Sequence, residues 1–355
     1  MLQIVNGIPI SSDKYYIQHM ENGLDELHFE VSLDDPAYFA IYEETAILET
    51  TEGQTFTVKK INAGQKTADI SCQLDLRDWQ QDIFFRLGQR GFLHEFTETR
   101  MLSEQIMKAQ GLSAWQMVSE VRTSKTRKIE MEGPTPLEVA LQMQKTFGCA
   151  LRFDNREKRV RILYPTECAL SKAYAVDSVN LRKVPEFKGS TAELYTRLYP
   201  TGADGLGIAA INGGKDYVDA QSPCTDRVIC KLWSDARYTD AASLLADAPG
   251  KVNAAAQPER SWKLDVVDLH RIDPETWPDM GLGIFTVLHL IDSKKGIRAN
   301  VQVCEDKVWP YYPEENQITV STVTGSVQRD VRNLQRALAD PNSDFWQQFA
   351  ARTGG

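Results

Sequence analysis

The chain has 355 residues, 42% of them hydrophobic and 25% charged, and a formal charge of −9. That length is past the size at which one core keeps growing, so about two to four domains are expected. The acidic balance excludes general affinity for nucleic acid, which needs a basic surface to displace counterions. No run approaches the ~18 apolar residues of a membrane-crossing helix.

Residues 1–10 carry neither a basic stretch nor a long apolar run, so no secretory signal is expected there. From residue 4 to about residue 90 the pattern is that of strands. Residues 27–33, 47–48, 55–61 and 68–74 alternate apolar and polar side chains, and Asn22-Gly23, Glu52-Gly53 and Ala63-Gly64 supply turns between them. Short strands spaced this way read as a small antiparallel barrel or sandwich. The stretch is acidic, with seven Lys and Arg against fifteen Asp and Glu.

Composition then shifts, to twelve Lys and Arg against nine Asp and Glu over residues 91–165. A helix is expected over 137–147. Pro134 and Pro136 precede it, Leu137, Val139, Ala140, Leu141, Met143 and Phe147 make its apolar stripe, and Gly148 stops it. The runs 149–153 and 159–164 flank Asp154-Asn155-Arg156-Glu157-Lys158 and read as a hairpin.

From residue 179 the chain returns to strands. Residues 180–184 lead into Thr196-Arg197-Leu198-Tyr199-Pro200-Thr201-Gly202-Ala203-Asp204-Gly205-Leu206-Gly207-Ile208. This reads as a strand with Leu194, Thr196 and Leu198 on one face and Tyr195, Arg197 and Tyr199 on the other. A Pro/Gly/Asp reversal, a second strand at 206–211 and a turn at Asn212-Gly213-Gly214 follow. Residues 239–257 read as a helix with Ala241, Leu244, Leu245 and Ala248 on one side, kinked or broken at Pro249-Gly250. Residues 262–269, 284–291 and 297–304 are strand-like. The tail, 326–351, repeats Val327, Val331, Leu334 and Leu338 at helical spacing. Pro341 sets it apart from Phe345, Trp346 and Phe349, which need their own domain or a partner chain to cover them.

The chain also echoes itself. Gly53-Gln54-Thr55-Phe56-Thr57-Val58 runs through a lysine-bearing turn to Ile70-Ser71-Cys72, and Gly283-Ile284-Phe285-Thr286-Val287 runs through Lys294-Lys295-Gly296 to Val301-Gln302-Val303-Cys304. Duplication of one barrel and chance likeness of two hairpins both account for it.

No motif for bond-making chemistry is complete, and no catalytic, cofactor-binding or metal-binding residue is assigned. His94-Glu95 opens like a zincin helix, but the position that needs the second histidine is Glu98. The other histidines, His19, His28, His270 and His289, are scattered and read as structural or surface groups. Gly205-Leu206-Gly207-Ile208-Ala209-Ala210 mimics a dinucleotide fingerprint, yet Asn212-Gly213-Gly214 follows in place of a helix that could hold a pyrophosphate. Asp34-Asp35, Glu43-Glu44 and Glu314-Glu315 are adjacent acids, which point apart in a strand and suit solvated loops. Lys125-Thr126-Arg127-Lys128 and Arg156-Glu157-Lys158-Arg159 read as solvated rims or subunit contacts. The six cysteines, Cys72, Cys149, Cys168, Cys224, Cys230 and Cys304, fit reduced core thiols, with neither zinc-ribbon nor disulfide spacing.

The stretch from Thr196 to Leu206 resembles the TRLYPxGxDGL signature of bacteriophage tail hub proteins, in the prophage-tail family that caps the distal end of a tail tube. The order of PTPLEVALQMQKTFG from Pro134, LRFDNREKRVRILYP from Leu151, WSDARYTDAASLL from Trp233 and WKLDVVDL from Trp262 is similar to that family's order of elements. The resemblance implies a β-rich mixed α+β fold with two related small antiparallel β-barrel tube domains, an inserted α+β domain and a C-terminal helix. The corresponding boundaries are 1–90 for the first barrel, 91–170 for the α+β domain, and 171–232 with 270–325 for the second barrel. A helix–strand insertion at 233–269 and a helical tail at 326–355 complete the set.

It further implies a structural subunit, not an enzyme: a homotrimeric, pseudo-six-fold hub ring in the virion tail, assembled in the bacterial host cytoplasm. Its expected neighbours are the hexameric tail tube protein and a central spike, tail fibre or baseplate, with DNA or a tape-measure protein passing the lumen without sequence-specific binding. No cofactor and no membrane insertion are expected. Some relatives carry C-terminal endopeptidase or carbohydrate-binding modules; none is expected before Gly355. The alternatives are a tail-associated cell-wall hydrolase and a receptor- or carbohydrate-binding tail-tip protein.

Overall fold

The computed structural model describes residues 1–83, 90–96, 106–108, 111–119, 127–165, 168–182, 186–190, 192–236, 238–257 and 259–322. The expected tail helix at 326–351, its aromatics and Glu98 lie outside these residues. The chain divides into two compact units: Met1–Pro165 with Cys304–Gln317, and Thr166–Val303 with Ile318–Gly355.

In the first unit the alternating segments become β1 (Leu2–Ile4), β2 (Pro9–Ile10), β3 (Tyr15–Met20), β4 (Glu26–Ser32), β5 (Ala46–Glu49), β6 (Gln54–Ala63) and β7 (Thr67–Leu74). They pair antiparallel in the order β2-β1-β5-β6-β7-β4-β3, and Glu305–Val308 add to the free edge of β3. Their inward positions, among them Leu2, Ile17, Leu27, Ile47, Phe56 and Ile70, are buried together. The sheet is strongly curled. Tyr15 on β3 and Glu49 on β5 are four strand steps apart, about 19 Å along a flat sheet at ~4.8 Å per step. Yet the Tyr15 hydroxyl donates to Glu49 Oε1 at 2.6 Å. The backbone after β2 meets the loop after β4 in the same way, Ser11 N–H donating to Asp35 Oδ2 at 2.9 Å. The expected barrel is therefore a coiled sheet whose ends meet through side chains; the strand order itself is an open path among the described residues.

The rest of this unit holds β8 (Arg90–Phe96), β9 (Gln116–Ser119), β10 (Arg127–Glu132), α1 (Pro136–Phe147), β11 (Ala150–Asp154) and β12 (Arg159–Leu163). α1 starts and stops where local chemistry dictates. The Thr135 side chain accepts from Glu138 N–H and Glu138 Oε2 accepts from Thr135 N–H at 2.7 Å, a capping box. Gly148, at φ 67°, turns the chain out through a left-handed residue. The expected hairpin forms, with β11 antiparallel to β12, and β9 adds to β12 in parallel. Leu137, Val139, Ala140 and Met143 of the helix join Leu151, Phe153, Val160 and Ile162 of the hairpin in the same core.

The second unit contains β13 (Leu170–Val176), β14 (Glu186–Ser190), β15 (Arg197–Thr201), β16 (Val218–Asp219), β17 (Cys230–Ser234), α2 (Ala241–Ala255), β18 (Glu259–Asp265), α3 (Leu269–Ile272), β19 (Val287–Asp292), β20 (Ile297–Val308) as far as Val303, and β21 (Gln317–Thr322) from Ile318. One sheet runs β14-β18-β21-β20-β19-β13 over a core of Leu264, Leu288, Leu290, Val301, Val303 and Val320. The β-rich mixed α+β class read from the sequence holds in both units.

Three expectations change. Residues 206–211 form turns, not a second strand, and β15 pairs instead with β16 and, in parallel, with β17. The cause is backbone geometry: Asp204 and Gly205 (φ 51° and 77°) and then Gly213 and Gly214 (φ 62° and 82°) are left-handed, so the segment folds back on itself. Ile208 is thereby tucked against Tyr238 and Leu244. α2 is not broken at Pro249 but continues as one helix, with Leu244, Ala248 and Val252 fully buried on one side across the proline. The echoed segments are both antiparallel hairpins with a strand on either side, but Val58 faces Cys72 while Val287 faces Gln302. Further, β13 runs parallel to β19 where β5 runs antiparallel to β6.

Candidate functional site

Two ordered polar arrangements stand out, one in each unit. In the first, Arg152 sits between buried Leu151 and Phe153 on β11 and reaches Asp25 with both guanidinium nitrogens, at 2.8 and 2.7 Å. Asp25 Oδ2 also meets His19 Nδ1 at 2.9 Å, and His19 Nε2 lies 3.2 Å from Glu52. Burial alone would lower the histidine's pKa. Its hydrogen bonds to Asp25 and Glu52, and their charges, outweigh that and raise it to about 10. Burial likewise pushes Asp25 up, while the His19 hydrogen bond and the Arg152 charge bring it well below the usual carboxylate range. With a cation on each side of Asp25, the cluster is a lock that joins β3, β4, the turn before β6 and β11.

The hairpin turn extends that lock. Asn155 Nδ2 donates to Thr55 O at 2.7 Å and to Asp75 O at 3.1 Å, and its Oδ1 accepts from Thr55 N–H. A polar cleft of about 380 Å³ opens beside it, lined by Thr55, Asp75, Arg77, Asp78 and Lys158 among others. The charges there are already matched: Arg77 grips Asp75 at 2.6 and 2.9 Å, while Lys158 and Trp115 Nε1 both reach Asp78. At Asp75 burial pushes upward and the Arg77 hydrogen bonds and charge outweigh it; at Asp78 the Lys158 hydrogen bond leads, and both carboxyls lie below their ordinary range. The arrangement fixes loops; it presents no unmatched acid or base.

In the second unit, helix α2 covers one face of the β16-β15-β17 sheet, packing Ala248 and Val252 on Leu198 and Trp233. The other face carries the signature strand's Arg197 and Tyr199. Arg197 pairs with Asp219 at 2.6 and 2.9 Å and lies 3.8 Å over the Tyr217 ring, which contacts Tyr199.

The sequence candidates fall apart in space. His94 is in strand β8, not on a zincin helix. His28 bonds Glu26 and stacks on Tyr16, His270 bonds the Trp277 carbonyl, and buried His289 bonds Asn300. Among the described residues no three His, Cys, Asp or Glu side chains gather as a metal-binding set. The mimic at Gly205 is turn, Asp35 is buried where its neighbour Asp34 is exposed, and Glu44 pairs with Lys59. Of the basic clusters, Lys158 meets Asp78 and Lys125 lies outside the described residues. The cysteines are free, but only Cys72 and Cys149 are core thiols; Cys224 is exposed in the segment before β17, and Cys230 is exposed on β17, an edge strand. Burial raises the Cys72 thiol pKa.

Residues 176–331 match the family model described as prophage endopeptidase tail. The chain carries a prophage-tail-family region. It includes the signature strand β15, and so bears out the resemblance read there. No curated protein matches the chain. Solved structures that share the fold include three tail proteins. Prophage tail protein gp18 from Listeria monocytogenes EGD-e has 16% identity and a TM-score of 0.60, over 92% of this chain and 94% of that one. The prophage MuSo2 43 kDa tail protein from Shewanella oneidensis has 14% identity and a TM-score of 0.63, over 91% and 97%. A tail protein from Neisseria meningitidis MC58 has 11% identity and a TM-score of 0.60, over 90% and 94%.

Proposed function

We propose that this prophage-tail-family chain is a structural subunit of a phage tail or a phage-derived injection apparatus. Three copies form a hub ring at the distal end of the tail tube. The ring joins the tube to a spike, fibre or baseplate, and its acidic inner wall lets DNA or a tape-measure protein pass without sticking. The observation that carries the reading is the family match over 176–331 together with a fold shared, nearly end to end, with tail proteins. Two β-rich units per chain support it further: three copies present six such units about the axis, enough to meet a six-fold tube on one side and a three-fold partner on the other. The proposed domain boundaries are those read from the sequence. Light scattering of the purified chain tests the reading, with three times the single-chain mass expected and a strict monomer against it.

The family description contains the word endopeptidase, which supports a second reading as a cell-wall hydrolase. That reading predicts that the isolated chain clears peptidoglycan. The structural reading predicts no clearing, because the charged groups described above are matched to one another.

A further inference from the structure

Phe39 and Tyr42 are 81% and 65% exposed, an unusual position for two aromatic rings three residues apart. The backbone that presents them is fixed. Ala37 N–H donates to Asp35 Oδ1 at 2.8 Å, Tyr38 N–H to Asp35 O at 2.9 Å and Tyr42 N–H to Thr45 Oγ1 at 3.1 Å, with Ala37 and Ile41 buried beneath. The rings are therefore held outward as a knuckle between β4 and β5. Its rim is acidic: Asp34, Glu43 and Glu44 are exposed, and Lys59 offsets only Glu44.

The opposite chemistry occurs on another surface of the same unit. The β9-β12-β11 sheet buries Val160 and Ile162 on its core side. On its other face Arg159 pairs with Gln116 and Arg161 with Val118, all four exposed. That face carries Arg159 and Arg161 on the central strand, Asp154 opposite Arg159 on β11, and the exposed Val118 side chain on the edge strand β9. The charge counts of the two sequence regions run the same way, seven cationic against fifteen anionic residues over 1–90 and twelve against nine over 91–165.

We infer that the acidic aromatic knuckle at Phe39 and Tyr42 of one copy docks on the basic β9-β12 face of the next copy. The inference rests on the three-fold reading above and names its contact. The two surfaces differ, so the contact is head-to-tail, the class that closes into a ring when the rotation between copies is three-fold. Aromatic anchors inside a charged rim supply the affinity, and opposite charge sets the orientation.

Sedimentation of the full chain tests this with two variants that alter only exposed side chains: Phe39→Ser with Tyr42→Ser, and Arg159→Glu with Arg161→Glu. Val118→Glu serves as an independent lesion on the second surface. Unchanged circular dichroism confirms folding in each case. The expected result is a trimer for the unaltered chain and monomers for each variant. An equimolar mixture of the knuckle and sheet-face variants should form one-to-one pairs, because each chain keeps one intact half. A trimeric parent whose variants all remain trimers overturns the inference and leaves the three-fold reading standing. Monomeric variants that never pair on mixing overturn the head-to-tail contact. A parent that is monomeric at high micromolar concentration overturns both.

Discussion

At the scale of single residues, the lock around Asp25 makes stability depend on pH in a defined window. His19 has a folded pKa of about 10 against 6.5 in the unfolded chain, so its contribution is complete below about pH 6.5 and disappears as pH rises toward 10. Asp25 is depressed from 3.8, so its contribution is present above that value and is lost as pH falls through the acid range. Denaturant titration of the parent should therefore show stability falling between pH 6.5 and 10, and His19→Gln should flatten that slope. An identical slope in the variant would rule out the assignment. Removing one partner of such a buried pair costs about 3–5 kcal/mol, the loss expected for Arg152→Ala. Gly23 is a second sensitive point. Its φ is +76°, and a Cβ there would lie 2.0 Å from the Leu151 carbonyl oxygen, so Gly23→Ala should cost about 2 kcal/mol or more, read as a lowered melting temperature. None of this lock was legible in the sequence. Arg152 and Asp25 are 127 positions apart, and an arginine within an alternating strand reads as solvent-facing.

At the scale of elements, what was legible was local. α1 could be read to within a residue because its prolines, its apolar stripe and its stop glycine lie inside the helix's own neighbourhood; the Thr135 cap was seen only in the structure. Thr135→Ala removes that cap and should cost about 1 kcal/mol in thermal unfolding. The strands β4, β6 and β7 were equally plain, since a half-buried strand prints its period on the sequence. The partners of β15 were not plain. Its parallel neighbour β17 begins 29 residues after Thr201, and the Leu206 run looked like a strand until the left-handed turns around it were seen. In α2 the proline penalty was outweighed by three buried contacts. Pro249→Ala restores a backbone donor and should stabilise this helix by about 1–3 kcal/mol, read in denaturant by the fluorescence of Trp233. No gain would mean that the helix is already bent to suit the proline.

At the scale of the whole molecule, the proposed ring asks each unit to keep its shape while its surface makes contacts. Each has its own hydrophobic core, so each can hold its shape while its surface is given over to contacts. The charged clusters spend their valence inside the chain, Arg152 on Asp25, Lys158 on Asp78 and Arg197 on Asp219, and this favours scaffold over turnover. The sequence carried the tail-protein reading through one strand signature and the order of its elements, while the surfaces proposed to dock emerged only when distant segments were placed on a common unit. The central claim is three-fold assembly on a tail tube. Electron microscopy of the chain mixed with its tail tube protein tests it most directly. Rings with three-fold symmetry capping one end of the tube are the predicted result; single particles that never join a tube end, at any mixing ratio, would contradict it.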